Sequence, residues 1–232
     1  MEEKVGAVYM IKAVLFDLDG TLLNRNESVL HFAERQYNRI IKKTSDISKE
    51  TYISRFITLD EMGYVWKDKV YQQLVEEFHL AGITWQGLLQ DYIEEFPYSC
   101  VPFSHLNEML AQLSSAGLRL GIISNGYGRF QQSNIESLGI KHFFDAILIS
   151  EWEGLRKPDP AIFLRALQRL EVNPEESLFI GDHPRNDIEA ARNVGMLGVW
   201  KENSDWSSAG MDYIVKDLAE IPMLIKKLNQ DM

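Results

Sequence analysis

The chain has 232 residues, 45% of them hydrophobic and 25% charged, with a formal net charge of −10 and a pI near 5.0. An acidic chain repels nucleic-acid phosphates and anionic membrane surfaces, which argues against both as general partners, although a small anionic substrate needs only a locally positive pocket. No stretch approaches the roughly 18–20 apolar residues of a membrane span, and a lone cysteine, Cys100, excludes an internal disulfide and fits a reducing, cytoplasmic setting.

Residues 1–9 are too few and too polar for a signal peptide and read as an extension ahead of the first strand. Residues 11–16 (IKAVLF) form a short apolar run of the kind seen in fully buried strands. From about 28 to 96 no strand pattern occurs, and four helical stripes follow one another at 29–43, 48–59, 66–80 and 85–96. Pro97 and Pro102 bracket the return to alternation. A helix over 105–116 ends at Gly117, a strand follows at 119–123 (RLGII), and a short helix over 134–138 ends at Gly139. A strand at 144–149 precedes a helix over 160–170, where Asp159 supplies an N-cap and Pro160 the first helical position. Strands at 177–180 (SLFI), 197–200 and 213–215 alternate with helices at 187–194 and 217–228. This order predicts an α/β fold, a doubly wound parallel sheet, interrupted by an inserted four-helix module. The boundaries expected are a core of 10–24 with 101–232 and a helical cap of 25–100. Ligands of parallel sheets bind at the carboxyl ends of the strands, so the insert, leaving just after the first strand, is expected to act as a lid.

Four strand ends carry unusual polar residues. They are Asp17 and Asp19 with Gly20 and Thr21, then Ser124–Asn125–Gly126, then Lys157 before Pro158, then Gly181–Asp182 with Asp187 five residues on. Three carboxylates cannot share a small cleft uncompensated, because like charges at ~4 Å repel by several kcal/mol at intermediate dielectric. A hard cation resolves this, and Mg²⁺ typically takes one or two carboxylates together with water and a substrate phosphate. Ser124 and Thr21 offer hydroxyl donors to phosphate oxygens, and the backbone N–H groups near Leu18, Asn125 and Gly126 offer more. Lys157 brings a point charge, and Gly20 allows an unusual turn and close ligand approach.

DLDGT, IISNG, the lysine of RKPDP and GDHPRND, in that order, resemble the four motifs of the haloacid dehalogenase superfamily. The spacing is similar to that of phosphatase-like members with a helical cap between motifs one and two. The resemblance spans nearly the whole chain apart from residues 1–9. It implies a Rossmann-like core and a Mg²⁺-dependent phosphohydrolase acting on a small phosphorylated metabolite. A phosphomutase or other phosphotransferase is the alternative, and a dehalogenase or a non-catalytic binding protein a more distant one. Asp17 resembles the nucleophile that becomes an aspartyl-phosphate, and Asp19 the general acid–base, with its backbone carbonyl toward the metal. Asp182 looks like a direct metal ligand and Asp187 like an outer or water-mediated one. Ser124 and Lys157 resemble the phosphate clamp, which Thr21, Asn125 and Gly126 support.

Each assignment competes with a plainer one. The two aspartates could be turn formers, Ser124–Asn125–Gly126 a strand-end turn, and Asp187 a helix cap. Arg156 competes with Lys157 for the inward position. His183 and Arg185 read as exposed loop polarity. In the insert, Arg55, Thr58, Asp60, Tyr64 and Trp66 surround a helix break at Gly63 and read either as leaving-group contacts or as packing. Cys100 reads as structural, none of Lys42, Lys43 and Lys49 is marked out for covalent chemistry, and oligomeric state is not readable.

Overall fold

The computed structural model describes residues 10–208 and 210–230, so the extension read at 1–9 lies outside the described residues. In chain order the elements are β1 (Ala13–Phe16), α1 (Arg25–Arg39), α2 (Lys49–Asp60), α3 (Lys67–Glu77), α4 (Trp85–Glu95), α5 (Leu106–Ser115), β2 (Arg119–Ser124), α6 (Gly128–Ser137), β3 (Ala146–Ile149), α7 (Ser150–Glu153) and α8 (Pro160–Leu170). They continue with β4 (Ser177–Gly181), a π-helical stretch (Pro184–Glu189) running into α9 (Ala190–Asn193), then β5 (Leu197–Lys201), β6 (Tyr213–Val215) and α10 (Ile221–Gln230). The chain divides into two compact units. One runs through Leu23 and resumes at Pro102, and the other is Asn24–Val101.

The first unit holds one parallel sheet of six strands in the order β3-β2-β1-β4-β5-β6. Its strands are the apolar runs of the sequence, because a strand covered by helices on both faces must be apolar on both. In β1 all four residues are buried. Ala13 and Leu15 pack with Ile123, Phe179 and the apolar stripe of α8, formed by Ile162, Phe163, Ala166, Leu167 and Leu170. Val14 and Phe16 point the other way by the period of two, and Phe16 meets Phe144 edge to face. The chain winds outward from β1 through β2 to β3, then returns to β4 on the opposite side of β1 and winds out to β6. The reversal falls between β1 and β4, the place where an open α/β sheet leaves a crevice beyond its strand ends.

The second unit is helical, and α1 is its centre. Phe32 on α1 lies 5.0 Å from the Tyr92 ring of α4, and Phe56 of α2 lies 5.6 Å from Tyr71 of α3. The buried Gln36 ties all four helices together. Its Oε1 accepts from the Tyr52 hydroxyl at 2.8 Å and the Tyr71 hydroxyl at 3.0 Å, and its Nε2 donates to Asp91 at 2.9 Å. Burial pushes both phenols upward, so they remain donors. The helix break expected at Gly63 is present: Glu61, Met62 and Gly63 all have positive φ, of 45, 56 and 91°. Asp60, at the end of α2, is 2% exposed and accepts from both Arg25 and the buried Lys67. Arg55 pairs with Glu77, and Thr58 donates to the Ser54 carbonyl. Arg55, Thr58 and Asp60 are thus engaged within the helical unit itself.

Candidate active site

Asp17 follows β1 directly, and Asp182 follows β4, its neighbour across the switch point. Asp187 returns to the same spot because Gly181, at the end of β4, leaves room for it. A Cβ on Gly181 would lie 2.5 Å from Asp187 Cβ. One carboxylate oxygen from each of Asp17, Asp182 and Asp187 falls within 4.8 Å of the others. Gly20 serves the same crevice. Its φ is +90°, and a Cβ there would sit 2.2 Å from Asp182 Oδ2. A side chain at residue 20 is thus refused both by the backbone conformation and by the carboxylate.

Lys157 is the inward cation and Arg156 is exposed, which settles the competition between them. The Lys157 ammonium, 3% exposed, donates to Asp17 Oδ1 at 2.6 Å and to Asp187 Oδ1 at 2.7 Å. Burial alone would lower its pKa, but Asp17 and Asp187 outweigh that and hold it above the ordinary lysine range. Its backbone is fixed by Asn125, whose side chain accepts from Lys157 N and donates to Lys157 O, both at 2.9 Å. Thr21 Oγ1 donates to Asp17 Oδ2 at 3.2 Å, and Gly126 N donates to Ser150 Oγ at 2.9 Å.

One lysine does not balance three carboxylates. Burial above all, and then the neighbouring acids, drive Asp17 well above the usual aspartate range despite Lys157. Asp182 is raised to about 7, chiefly by burial and then by Asp187. An all-oxygen donor set with this charge deficit fits a hard divalent cation of the Mg²⁺ type, which would replace the protons those groups otherwise retain. The Asp19 carboxylate stands apart from this cluster. It accepts instead from Gln131 Nε2, which also donates to Ser124 Oγ at 3.0 Å.

Of the two readings of Asp187, the helix cap is not the one present: Asp187 is 1% exposed and accepts from His183 N at 3.0 Å as well as from Lys157. The cap is His183, whose Nδ1 accepts from the N–H groups of Arg185 and Asn186 at 3.2 Å. Its ring also lies against Trp206, tilted by 37° with centroids 4.6 Å apart, so His183 is not idle loop polarity, whereas Arg185 is exposed. Three further residues escape a reading of strand ends. Gln131 and Asn203 bond Asp19 and Asp182 respectively, the latter at 2.7 Å, and Trp200 Nε1 donates to Asp182 O at 2.7 Å. The signal for Gln131 was a polar residue on the buried stripe of α6 that also carries Asn134 and Ile135.

Known proteins resemble this chain in sequence and in fold. The family model of haloacid dehalogenase-like hydrolases matches residues 14–200. A glyceraldehyde 3-phosphate phosphatase of Methanocaldococcus jannaschii is 30% identical over 96% of this chain and 100% of its own. Among solved structures, a HAD phosphatase from Thermococcus onnurineus superposes with a TM-score of 0.66 at 28% identity, covering 93% of this chain and 98% of that one. A 2-haloacid dehalogenase from Pseudomonas syringae gives 0.61 at 26% identity, covering 94% and 99%.

Proposed function

The chain belongs to the haloacid dehalogenase-like hydrolases, and on that premise we propose that it is a Mg²⁺-dependent phosphohydrolase of a small phosphorylated metabolite, working through an aspartyl-phosphate at Asp17. The observation that carries the reading is the separation of the two aspartates of the DLDGT stretch. Asp17 sits in the carboxylate cluster under Lys157, and Asp19 is held outside it, beside Ser124.

Asp17 attacks phosphorus while the bond to the leaving oxygen breaks, and that oxygen takes a proton from Asp19. A water then attacks the same phosphorus, gives its proton to Asp19, and the bond from phosphorus to Asp17 breaks to release phosphate. Ser124 and Lys157 hold phosphoryl oxygens, and Asn125 keeps Lys157 in register. Asp17, Asp182, Asp187 and the Asp19 carbonyl would hold the Mg²⁺, which when bound neutralises charge on the transferring group. The helical unit is read as the family's cap and as the part that selects the leaving group.

Dehalogenases of the superfamily resemble a pattern without the second aspartate of motif one and without the metal. Asp19 and Asp182, both present here, favour phosphoryl over halide chemistry. The test measures phosphate release from a panel that includes glyceraldehyde 3-phosphate, phosphoserine and phosphoglycolate, with Mg²⁺, beside halide release from a 2-haloacid. Phosphate release that needs Mg²⁺ and vanishes in Asp17→Asn supports the reading. Activity that survives excess chelator, or halide release instead, overturns it. Ca²⁺ should inhibit, since it prefers more ligands and looser geometry than octahedral Mg²⁺.

A further inference from the structure

Gln131 belongs to none of the four strand-end motifs, yet its amide reaches two of them. The side chain, on the first turns of α6, is 3% exposed. Its Nε2 donates to Asp19 Oδ2, to Ser124 Oγ at 3.0 Å and to the Asn125 carbonyl at 3.3 Å. The far end of the amide is fixed as well. Asn134, fully buried and three residues along the helix, donates from Nδ2 to Gln131 Oε1 at 3.0 Å. Turning the amide over would set its oxygen against a carboxylate and its nitrogen against a nitrogen, so only one orientation satisfies both ends.

This arrangement has a chemical consequence at each acceptor. Ser124 Oγ accepts a hydrogen bond from Gln131, which leaves the serine's own O–H to donate, as a phosphate clamp requires. The Asp19 carboxylate is tethered by one oxygen, which limits its rotation about Cβ–Cγ and presents the other oxygen in a set direction. General acid catalysis depends first on such geometry. A buried glutamine with a merely structural role needs partners of any kind. Here two of its three acceptors belong to residues proposed to act on the phosphoryl group.

We propose that Gln131 is a positioning residue for phosphoryl transfer, aligning the Asp19 carboxylate and the Ser124 hydroxyl through one oriented amide. The inference rests on the reading of Asp19 as the proton shuttle. Gln131 does not itself contact the phosphoryl group, so its effect passes through Asp19 and Ser124, and the part carried by Asp19 depends on the leaving group.

The test uses the full chain with Mg²⁺ and two substrates, p-nitrophenyl phosphate, whose phenolate leaves without much protonation, and β-glycerophosphate, whose alkoxide does not. Gln131→Met keeps length and loses the donors, and Gln131→Glu keeps shape and turns the donor into an acceptor. Both are compared with wild type, Asp19→Ala and the double variant Asp19→Ala/Gln131→Met, with melting temperatures recorded for all. In each Gln131 variant kcat/KM should fall at least about tenfold further on β-glycerophosphate than on p-nitrophenyl phosphate, a part of the roughly 10²–10⁴-fold that an acid–base group supplies. The double variant should discriminate between the substrates no more than Asp19→Ala alone. Equal losses on both substrates in the folded variants, or a double variant that discriminates between the substrates more than Asp19→Ala does, overturn the inference. If one variant does not fold, the other carries the comparison. A wild type that releases no phosphate, or an active Asp17→Asn, brings down the underlying phosphohydrolase reading instead, which is a different outcome from a discriminating Asp19→Ala beside an indifferent Gln131→Met.

Discussion

At the scale of single residues, the two aspartates of DLDGT differ by what surrounds them. Asp17 lies under an ammonium at 2.6 Å and among other carboxylates, and Asp19 bonds an amide. Asp19→Ala keeps Asp17 and the backbone carbonyl and removes only the carboxylate proposed as the proton shuttle. With p-nitrophenyl phosphate its first step should outrun its second, and rapid quench should trap phosphoenzyme as a burst, mapped to Asp17. The steady rate should drop about 10²–10⁴-fold. A uniform loss with no trapped phosphoenzyme would remove that role from Asp19. Gly20 is a second case. Gly20→Ala sets a methyl against Asp182 Oδ2, 2.2 Å from the ideal Cβ, at a φ of +90°. It should raise the Mg²⁺ concentration for half-maximal rate and cost roughly 1–2 kcal/mol in denaturant unfolding. These residues were legible because a charge at the end of an apolar strand is conspicuous. Gln131, Asn203 and His183 were not, since a glutamine on a helix or an asparagine in a loop looks like ordinary surface until the fold shows what it faces.

Elements were legible to the degree that one period ruled them. The stripe over 160–170 matches α8 residue for residue, because an N-cap and a proline mark its start and its apolar face is unbroken. In contrast, α6 begins at Gly128, six residues before the start read at 134, because Gln131 and Asn134 sit on its buried face and interrupt the apolar stripe. The segment read as a helix over 187–194 is in fact a π-helical stretch, Pro184–Glu189, that includes Asp187 and passes into α9. Buried polar groups also decide how the helical unit coheres. Gln36→Leu keeps the bulk but leaves the Tyr52 and Tyr71 hydroxyls without their acceptor, and should cost about 1–3 kcal/mol for each orphaned group. Asp60→Ala leaves the Lys67 ammonium, 2% exposed, without its carboxylate and should cost more, roughly 3–5 kcal/mol. Chemical denaturation of the two variants checks both the magnitudes and their order. A Gln36→Leu variant as stable as wild type would mean that water reaches those phenols.

For the whole molecule, a net charge of −10 and a cluster of three acids at the switch point bear on its response to pH and to added cations. No helix among the described residues is long and apolar enough to cross a membrane, and the β1–β4 crevice was foreseeable because alternating strands and helices leave few ways to wind a parallel sheet. The sign of the pH effect follows from the direction of the shifts. Asp182 is raised to about 7 and Asp17 is raised well above its ordinary value, so without a cation the fold prefers both groups protonated. The stability that goes with those protons is complete below the unfolded aspartate value of about 4 and is lost as pH rises through the folded values. Metal-free protein should therefore weaken from about pH 5 to about pH 8 at this site, a window in which an ordinary exposed aspartate no longer titrates. A bound cation reverses the preference, because it takes the ionised groups and displaces their protons. Added Mg²⁺ should thus raise the melting temperature little near pH 5 and progressively more toward pH 8. A concentration about 100-fold above its Kd should contribute about 2.7 kcal/mol. Calorimetry across that range, with Mg²⁺ or with excess chelator, measures the difference directly. Asp182→Asn, which carries no titrating proton there, should flatten the pH dependence of the metal-free protein and blunt the Mg²⁺ shift together. A Mg²⁺ stabilisation that is equal at both ends of the range would mean that the cation does not bind through the carboxylates of Asp17 and Asp182.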